Sequence, residues 1–527
     1  MKTNSVISRA NKSLTIGAAA SVLAGSYLIS GLFGLLRDRL LAAKFGVSGE
    51  LDAYFAAFAI PDLMFFILVS GALTVTLLPV LNERFASGNK KSAWEISSSI
   101  TNLLAILTLF ASVLIFIFAP QLMSIVAPSF DPIRHETSVN VMRILALNPF
   151  LFSLSSVFGT IQQAYGRFFF FALAPVVYNL GIISGILYLT GSFGIYGVAT
   201  GAVIGALAQV GIQMLGVAGL GFTYQPRIFW KNKGFRKVIR LIIPRSVDEG
   251  LEHLMAVIER AIASGLATGS IAAYQFAFNL KNYPITLIGT AIATAAFPKI
   301  SERALSNRTD LLKKEVLEVM RAILWFAIPT AIAVMILRGY IVRILIGFGD
   351  ATIANILGFF ALAIVFQSIL RLITRVFYAQ QDTKTPLYAS IVSIVLNITL
   401  AIILARAFGV VGLAMAQSIV AGVEVVVLSV ILSKRFGSLI TKQFVKYVAG
   451  TSLASVVMGS ITYMLVRYVF PLLAGETGFF SIIPKFTAII LLSFAVYIYL
   501  GTKLKLPEAQ TVSNKVKGLI FKRVQVG

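Results

Sequence analysis

The chain of 527 residues is 58% hydrophobic and only 13% charged, with a mean hydropathy of +0.88, which excludes a soluble globular protein. It has no cysteine and two histidines, which excludes disulfides, thiolate chemistry and a histidine-built metal site. Its net charge of +24 lies largely in short connections between apolar runs, which is the pattern of cytoplasmic loops and not of a nucleic-acid surface.

The polar, basic segment "MKTNSVISRANKS" precedes the first apolar run, and no small-residue cleavage site ends that run, so a retained first span is expected. Apolar runs long enough for a roughly 30 Å hydrocarbon core then recur to the end of the chain. They are too long for barrel strands and lack period-2 alternation. The sequence predicts an all-α polytopic membrane protein of about fourteen transmembrane helices, at 14–44, 52–82, 93–119, 138–163, 168–191, 195–218, 238–266, 270–297, 315–337, 352–379, 386–406, 410–433, 444–469 and 480–502. With the N-terminus in the cytoplasm, the cytoplasmic connections hold Arg84, Lys90 and Lys91, then Arg167, then the run Arg227 to Lys237, then Lys299 to Lys314, then Lys384, then Lys434, Arg435 and Lys442. The opposite connections are poorer in cations, with Arg134 beside Asp131 and Glu136, Arg338 and Arg343, and Glu476. Both termini are therefore expected in the cytoplasm.

Two halves of the chain repeat each other. "LDAYFAAFAI" (51–60) matches "IAAYQFAFNL" (271–280), "LLPVLNER" (77–84) matches "AFPKISER" (296–303), and "FGIYGVA" (193–199) matches "FGVVGLA" (408–414), at offsets of 220, 219 and 215. Six helices per repeat give both copies the same orientation, as in transporters that rock two halves about a midplane site. The expected organisation is an N-terminal six-helix lobe at 1–218, a basic cytoplasmic linker at 219–237, a C-terminal six-helix lobe at 238–434, and two extra helices with a basic tail at 435–527.

Charges inside the spans are the candidate site, because each costs about 2.5–3.5 kcal/mol at mid-bilayer and is retained where it faces a bundle interior or a wet cavity. On helix 1, "FGLLRDRLLAAKFG" carries Arg37, Asp38, Arg39 and Lys44. Arg37 and Lys44 share a face, and Asp38 is expected to neutralise Arg39. On helix 7, Arg245, Glu249, Glu252 and Glu259 form one stripe, either a salt-bridge ladder or a proton or cation site. On helix 10, Gln367, Arg371 and Arg375 repeat every four residues, and Arg371 is the deeper of the two cations. Arg143 on helix 4 and Lys281 on helix 8 complete the set, with snorkelling to the interface the alternative for Arg143. A cavity with several cations suits a pyrophosphate, whose oxygens accept charge-assisted hydrogen bonds from Arg and Lys.

Several stretches carry a family resemblance. "SGLFGLLRDRLLAAKFG", "LDAYFAAFAIPDL", "LLPVL", "ALAPVVYN" (172–179), "LIIPRS" (241–246) and "RVFYAQQDTKTP" (375–386) resemble, in order and spacing, the MurJ (MviN) lipid II flippases of the multidrug/oligosaccharidyl-lipid/polysaccharide exporter superfamily. The resemblance implies fourteen helices, a cationic central cavity for the headgroup of an undecaprenyl-pyrophosphate-linked peptidoglycan precursor, and a groove for its tail at helices 13 and 14. It maps the family's "RD" pair onto Arg37 and Asp38, and its "DA" onto Asp52. The family's arginines are replaced at Gly31, Phe65, Phe66 and Asn279, its acidic residues at Ser70 and Asn282, and Lys281 stands near the last of these. The acidic stripe of helix 7 also departs from the family pattern.

The expected protein is a flippase of the bacterial cytoplasmic membrane, not an enzyme. Its partners are a lipid-linked pyrophosphate glycan and membrane lipids, with no nucleic acid, and it works as a monomer. It carries no cofactor, with coupling to the membrane potential or to a monovalent cation. The lost arginines leave open a different lipid-linked oligosaccharide. The helix 7 carboxylates leave open a cation-coupled small-molecule exporter, and Phe65 with Phe66 leave open a scaffold without transport.

Overall fold

Each long apolar run is helical, and polar punctuation sets where the helices begin. The computed structural model describes residues 16–70, 73–306, 308–437, 441–473, 476 and 479–514, and no strand occurs among them. The helices are α1 (Ile16–Phe45), α2 (Gly49–Val69, continued by Leu73–Leu77 and Leu78–Ala86), α3 (Lys90–Val126), α4 (Pro132–Ala164), α5 (Phe169–Phe193), α6 (Ile195–Val217) and α7 (Lys233–Ser264). There follow α8 (Ser270–Pro284, continued by Ile285–Thr290 and Ala291–Leu305), α9 (Thr309–Ile346), α10 (Ala351–Ala379), α11 (Lys384–Phe408), α12 (Val410–Phe436), α13 (Lys442–Val469) and α14 (Phe479–Lys503). Side-chain oxygens of Ser48, Asp131, Asn232, Asp350 and Thr441 accept first-turn N–H groups at the starts of α2, α4, α7, α10 and α13.

Eleven helices among the described residues are long and apolar enough to cross a membrane. The other three expected spans, α1, α7 and α8, are helical as well, and they are the ones that carry Arg37, Glu259 and Lys281. The structure thus supports eleven of the fourteen spans by length and apolarity.

The chain forms two compact units, Met1–Ala272 and Ala273–Gly527. This boundary lies in the first turn of α8, whereas the repeat divides the chain before α7. The difference has a packing cause: α7 lies along α2 and α3 of the first unit.

The repeat is visible inside each unit. The α5–α6 connection turns at Gly194 with φ +53° and ψ −133°, and the α11–α12 connection turns at Gly409 with φ +60° and ψ −146°. Only glycine populates that region readily. Three residues on, a Cβ at Gly197 would sit 2.6 Å from the backbone of Leu189, and one at Gly412 would sit 2.2 Å from that of Leu404. Between the matched runs, α2 and α8 also share a defect, a π-helical turn at Phe66–Ser70 and at Ile285–Thr290. In the first unit, α5 and α6 approach through Gly181, Gly185, Gly201 and Gly205, the small-residue spacing that lets membrane helices touch backbone to backbone.

In the second unit the "QDTKTP" turn is closed by Asp382. Its Oδ1 accepts the N–H groups of Lys384 and Thr385 at 3.1 and 3.0 Å. Its Oδ2 accepts the Thr385 hydroxyl and an Arg435 N–H, both at 2.6 Å. Partial burial alone would raise this carboxyl, but the Thr385 and Arg435 donors outweigh it and bring it down to about 2. Its stabilising contribution is therefore complete above about pH 4, the unfolded value, and is lost as pH falls through about 2. An Arg435→Gln variant, followed by thermal melting from pH 6 to pH 2, should lose stability at a higher pH than the native chain. Coincident acid profiles would show that this pair contributes nothing.

Candidate functional site

In the first unit the helix 1 charges are built into a polar network. The guanidinium of Arg37 donates through Nε and Nη2 to Asp38 Oδ1 at 3.0 and 2.7 Å, and through Nη1 to Asn179 Oδ1 at 3.1 Å. Asn179 on α5 also donates to the carbonyls of Ser30 and Pro175, at 3.4 and 3.1 Å. Asp38 is buried. It pairs with Arg37, a partner beyond the Arg39 that the sequence reading expects for it. Tyr54 and Tyr178 lie close enough to Arg37 and Asp62 to feel their charges. Across from α2, Arg260 on α7 acts on Asp62, and the rings of Phe66 and His253 stack at 3.4 Å. At Phe66, where the resemblance implies an arginine, a helix 7 imidazole packs on the ring instead. Glu259 is buried in the same helix. The side chains of Arg245, Glu249 and Glu252, and that of Ser70, lie outside the described residues.

Asp52 is 1% exposed and holds the start of α8. Its carboxylate accepts the N–H groups of Gly269 at 2.6 Å and Ala272 at 2.8 Å. Gly269 has φ +89°, and a Cβ there would sit 2.7 Å from the Val47 carbonyl oxygen, so the turn needs glycine. Arg134 Nη1 stands 3.8 Å from Asp52, and Arg134 also pairs with Asp131 at the cap of α4. The backbone N–H and guanidinium of Arg134 hold the Asp131 carboxyl below its usual range. Beside this cluster lies a polar cavity of about 470 Å³ lined by Lys44, Glu50, Asp131, Arg134 and Thr268 among others. Lys44 is therefore at the mouth of a cavity, while Arg37 lies within the bundle.

Arg143 donates to the Phe116 carbonyl at 3.4 Å and lies over the Phe116 ring, on α3. This is the geometry of a side chain at the bundle surface.

In the second unit Lys281 is 1% exposed. Its ammonium lies 4.3 and 4.2 Å from the ring centroids of Phe278 and Phe360 and donates to Gln417 Oε1. Arg371 and Arg375 sit one turn apart on α10, with Arg375 over Phe297 at 5.9 Å. Glu424, in the middle of α12, accepts from Ser390 Oγ at 3.3 Å. Among the described residues no cluster of three His, Cys, Asp or Glu side chains is placed to hold a metal ion.

Sequence reading missed Asn179, Asp62 and Glu424 as site residues. Asn179 closes the "ALAPVVYN" stretch and Asp62 lies within "AIPDL", so both stood inside quoted motifs. Glu424 carried a plain signal, a lone carboxylate within an apolar span.

A sequence model of the "Lipid II flippase MurJ" family matches residues 41–482. The chain is 27% identical over 498 residues to a probable lipid II flippase MurJ of Thermotoga maritima, covering 92% of this chain and 96% of that protein. It is 27% identical over 422 residues to the one of Rickettsia prowazekii, covering 77% and 82%. Among solved structures it resembles lipid II flippase MurJ in an inward closed conformation, with TM-score 0.76 and 24% identity over 91% of this chain and 98% of that one. It also resembles an inward-facing multidrug resistance MATE family transporter of the MOP superfamily, with TM-score 0.67 and 16% identity over 78% and 95% of the two chains. These last two likenesses speak for the fold, and the family match over most of the sequence for descent: the chain belongs to the lipid II flippase MurJ family.

Proposed function

We propose that the chain moves lipid II, the undecaprenyl-pyrophosphate-linked peptidoglycan precursor, from the inner to the outer leaflet of the bacterial cytoplasmic membrane by alternating access, for cell wall biogenesis. The observation that carries this reading is the family match over residues 41–482. The physical need is large. An unpaired pyrophosphate in hydrocarbon faces a Born penalty of about tens of kcal/mol. Guanidinium and ammonium groups held inside the bundle replace part of the lost hydration. In this reading Arg37, held by Asp38 and Asn179, meets the headgroup, with Arg371 and Lys281 as the cations of the second half.

No bond is made or broken, so the protein acts as a transporter and a monomer suffices. With both termini in the cytoplasm, an inside-negative potential favours exit of the anionic headgroup by about 2.3 kcal/mol per charge per 100 mV. Glu259 is the candidate for coupling to a monovalent cation, as a buried carboxylate on α7.

The replacements at Gly31, Phe65 and Asn279 favour a second reading, in which the same machinery moves a different lipid-linked oligosaccharide. Vesicles that contain the purified chain and a headgroup-labelled lipid II separate the two. Under an imposed potential, external quencher should reach the inner-leaflet label several-fold faster than in empty vesicles. Equal quenching with lipid II, together with faster quenching of another labelled undecaprenyl-pyrophosphate glycan, would select the second reading.

A further inference from the structure

Between α2, α3 and α7 of the first unit lies a second cavity, of about 550 Å³, and it is chemically unlike the first. Its walls are leucine and isoleucine, including Leu63, Ile67 and Leu68 of α2, Leu104 and Leu107 of α3, and Ile242 of α7. Ser246 and Gly250 break the α7 wall, and the π turn of α2 supplies Ile67 and Leu68. Its rim is open to the surroundings, since Leu107 and Leu254 are each 41% exposed. An apolar cavity with an open rim, in a chain of membrane-spanning helices, suits hydrocarbon.

The dimensions fit one chain. The α7 lining runs from Ile239 to Leu254. At 1.5 Å per residue that is about 22 Å, enough for the depth of a single leaflet, about 15 Å.

Charge identifies the headgroup. At about 100° per residue, the α7 lining residues occupy an arc of about 180°. Continued toward the start of the helix, the same arc contains Arg236 and Arg240, both exposed. Arg236 is steadied by a hydrogen bond of 2.8 Å from Nε to the Trp230 carbonyl, and Trp230 is itself exposed, as an interfacial anchor would be. Lys237 is turned to Glu83, at 3.0 Å. A cation pair at the end of an acyl-sized slot is complementary to a lipid phosphate.

We propose that this cavity binds one acyl chain of an anionic phospholipid, with its phosphate at Arg236 and Arg240. The bound lipid would lie along α7 where that helix packs on α2 and α3. It is a resident lipid and not the transported substrate, so its test does not depend on what the protein carries.

Native mass spectrometry of the full chain, released from micelles containing phosphatidylglycerol or phosphatidylcholine, reads the site directly. Phosphatidylglycerol should be retained in preference. The double reversal Arg236→Glu with Arg240→Glu, both exposed side chains, should reduce that preference by about 5-fold per arginine, with the melting temperature as the control for folding. Leu107→Trp should fill the slot and lower retention of both lipids, with an unchanged melting temperature as the control for folding. The proposal is overturned if the arginine reversals leave the headgroup preference intact. It is equally overturned if Leu107→Trp melts as the native chain does yet leaves retention intact, or if the retained lipid is a polyprenyl phosphate.

Discussion

Replacing Asp52 by alanine should lower the stability of the purified protein by about 2–4 kcal/mol, read as a drop of several degrees in melting temperature. The carboxylate is buried and accepts two backbone N–H groups at the start of α8, from Gly269 and Ala272. Hydrogen bonds to a charged acceptor are worth about 1.5–3 kcal/mol each, and removing the acceptor leaves buried donors without it. Arg134 would lose one of its two carboxylates as well. Asp52→Asn keeps an acceptor oxygen and should recover part of the loss. Growth support should fall with both variants, more steeply with alanine, because the turn at Gly269 also seats the entry to α2 against Val47. Native melting temperatures for both variants would show that the start of α8 does not depend on this carboxylate.

Lys281→Met should behave in the opposite way, with the fold kept and transport lost. Methionine is close to lysine in shape and can rest against Phe278 and Phe360. Removing a buried ammonium removes a desolvation cost of several kcal/mol, against which two ring faces return about 0.5–2 kcal/mol each and the hydrogen bond to Gln417 about 1.5–3 kcal/mol. The melting temperature should therefore change little. A group this costly is kept in an apolar span for what its charge does. Transport by the methionine variant should fall at least about tenfold, and Lys281→Arg should restore part of it. Lys281→Ala is the less informative change, because it adds a cavity to the loss of charge. Full transport by the methionine variant would make Lys281 a packing residue.

The sequence carried the architecture because hydrophobic length and repeated motifs are local signals. The paired glycines of "FGIYGVA" and "FGVVGLA" announced two connections that the structure builds with the same backbone conformation at Gly194 and Gly409. The site was legible only as a set of charged residues. Asp38 lies beside both Arg37 and Arg39 in sequence, and the rotamer that puts Arg37 on Asp38 is settled by Asn179, which is 142 positions away. Through-space partners of that kind leave no periodic trace. The π turns in α2 and α8 were invisible for a related reason, since they shift a face by one residue without changing composition. That Phe66 stands where the resemblance implies an arginine was visible, but not that His253 of α7 would stack on its ring.

The most direct test of lipid II transport is growth. The native chain and its Arg37→Ala variant would be expressed in bacteria depleted of their own lipid II flippase, with both proteins quantified in the membrane fraction. Growth with the native chain, and none with an equally abundant variant, is the predicted result. Failure of the inserted native chain to support growth, or equal growth with the variant, would contradict a flippase that handles lipid II through Arg37.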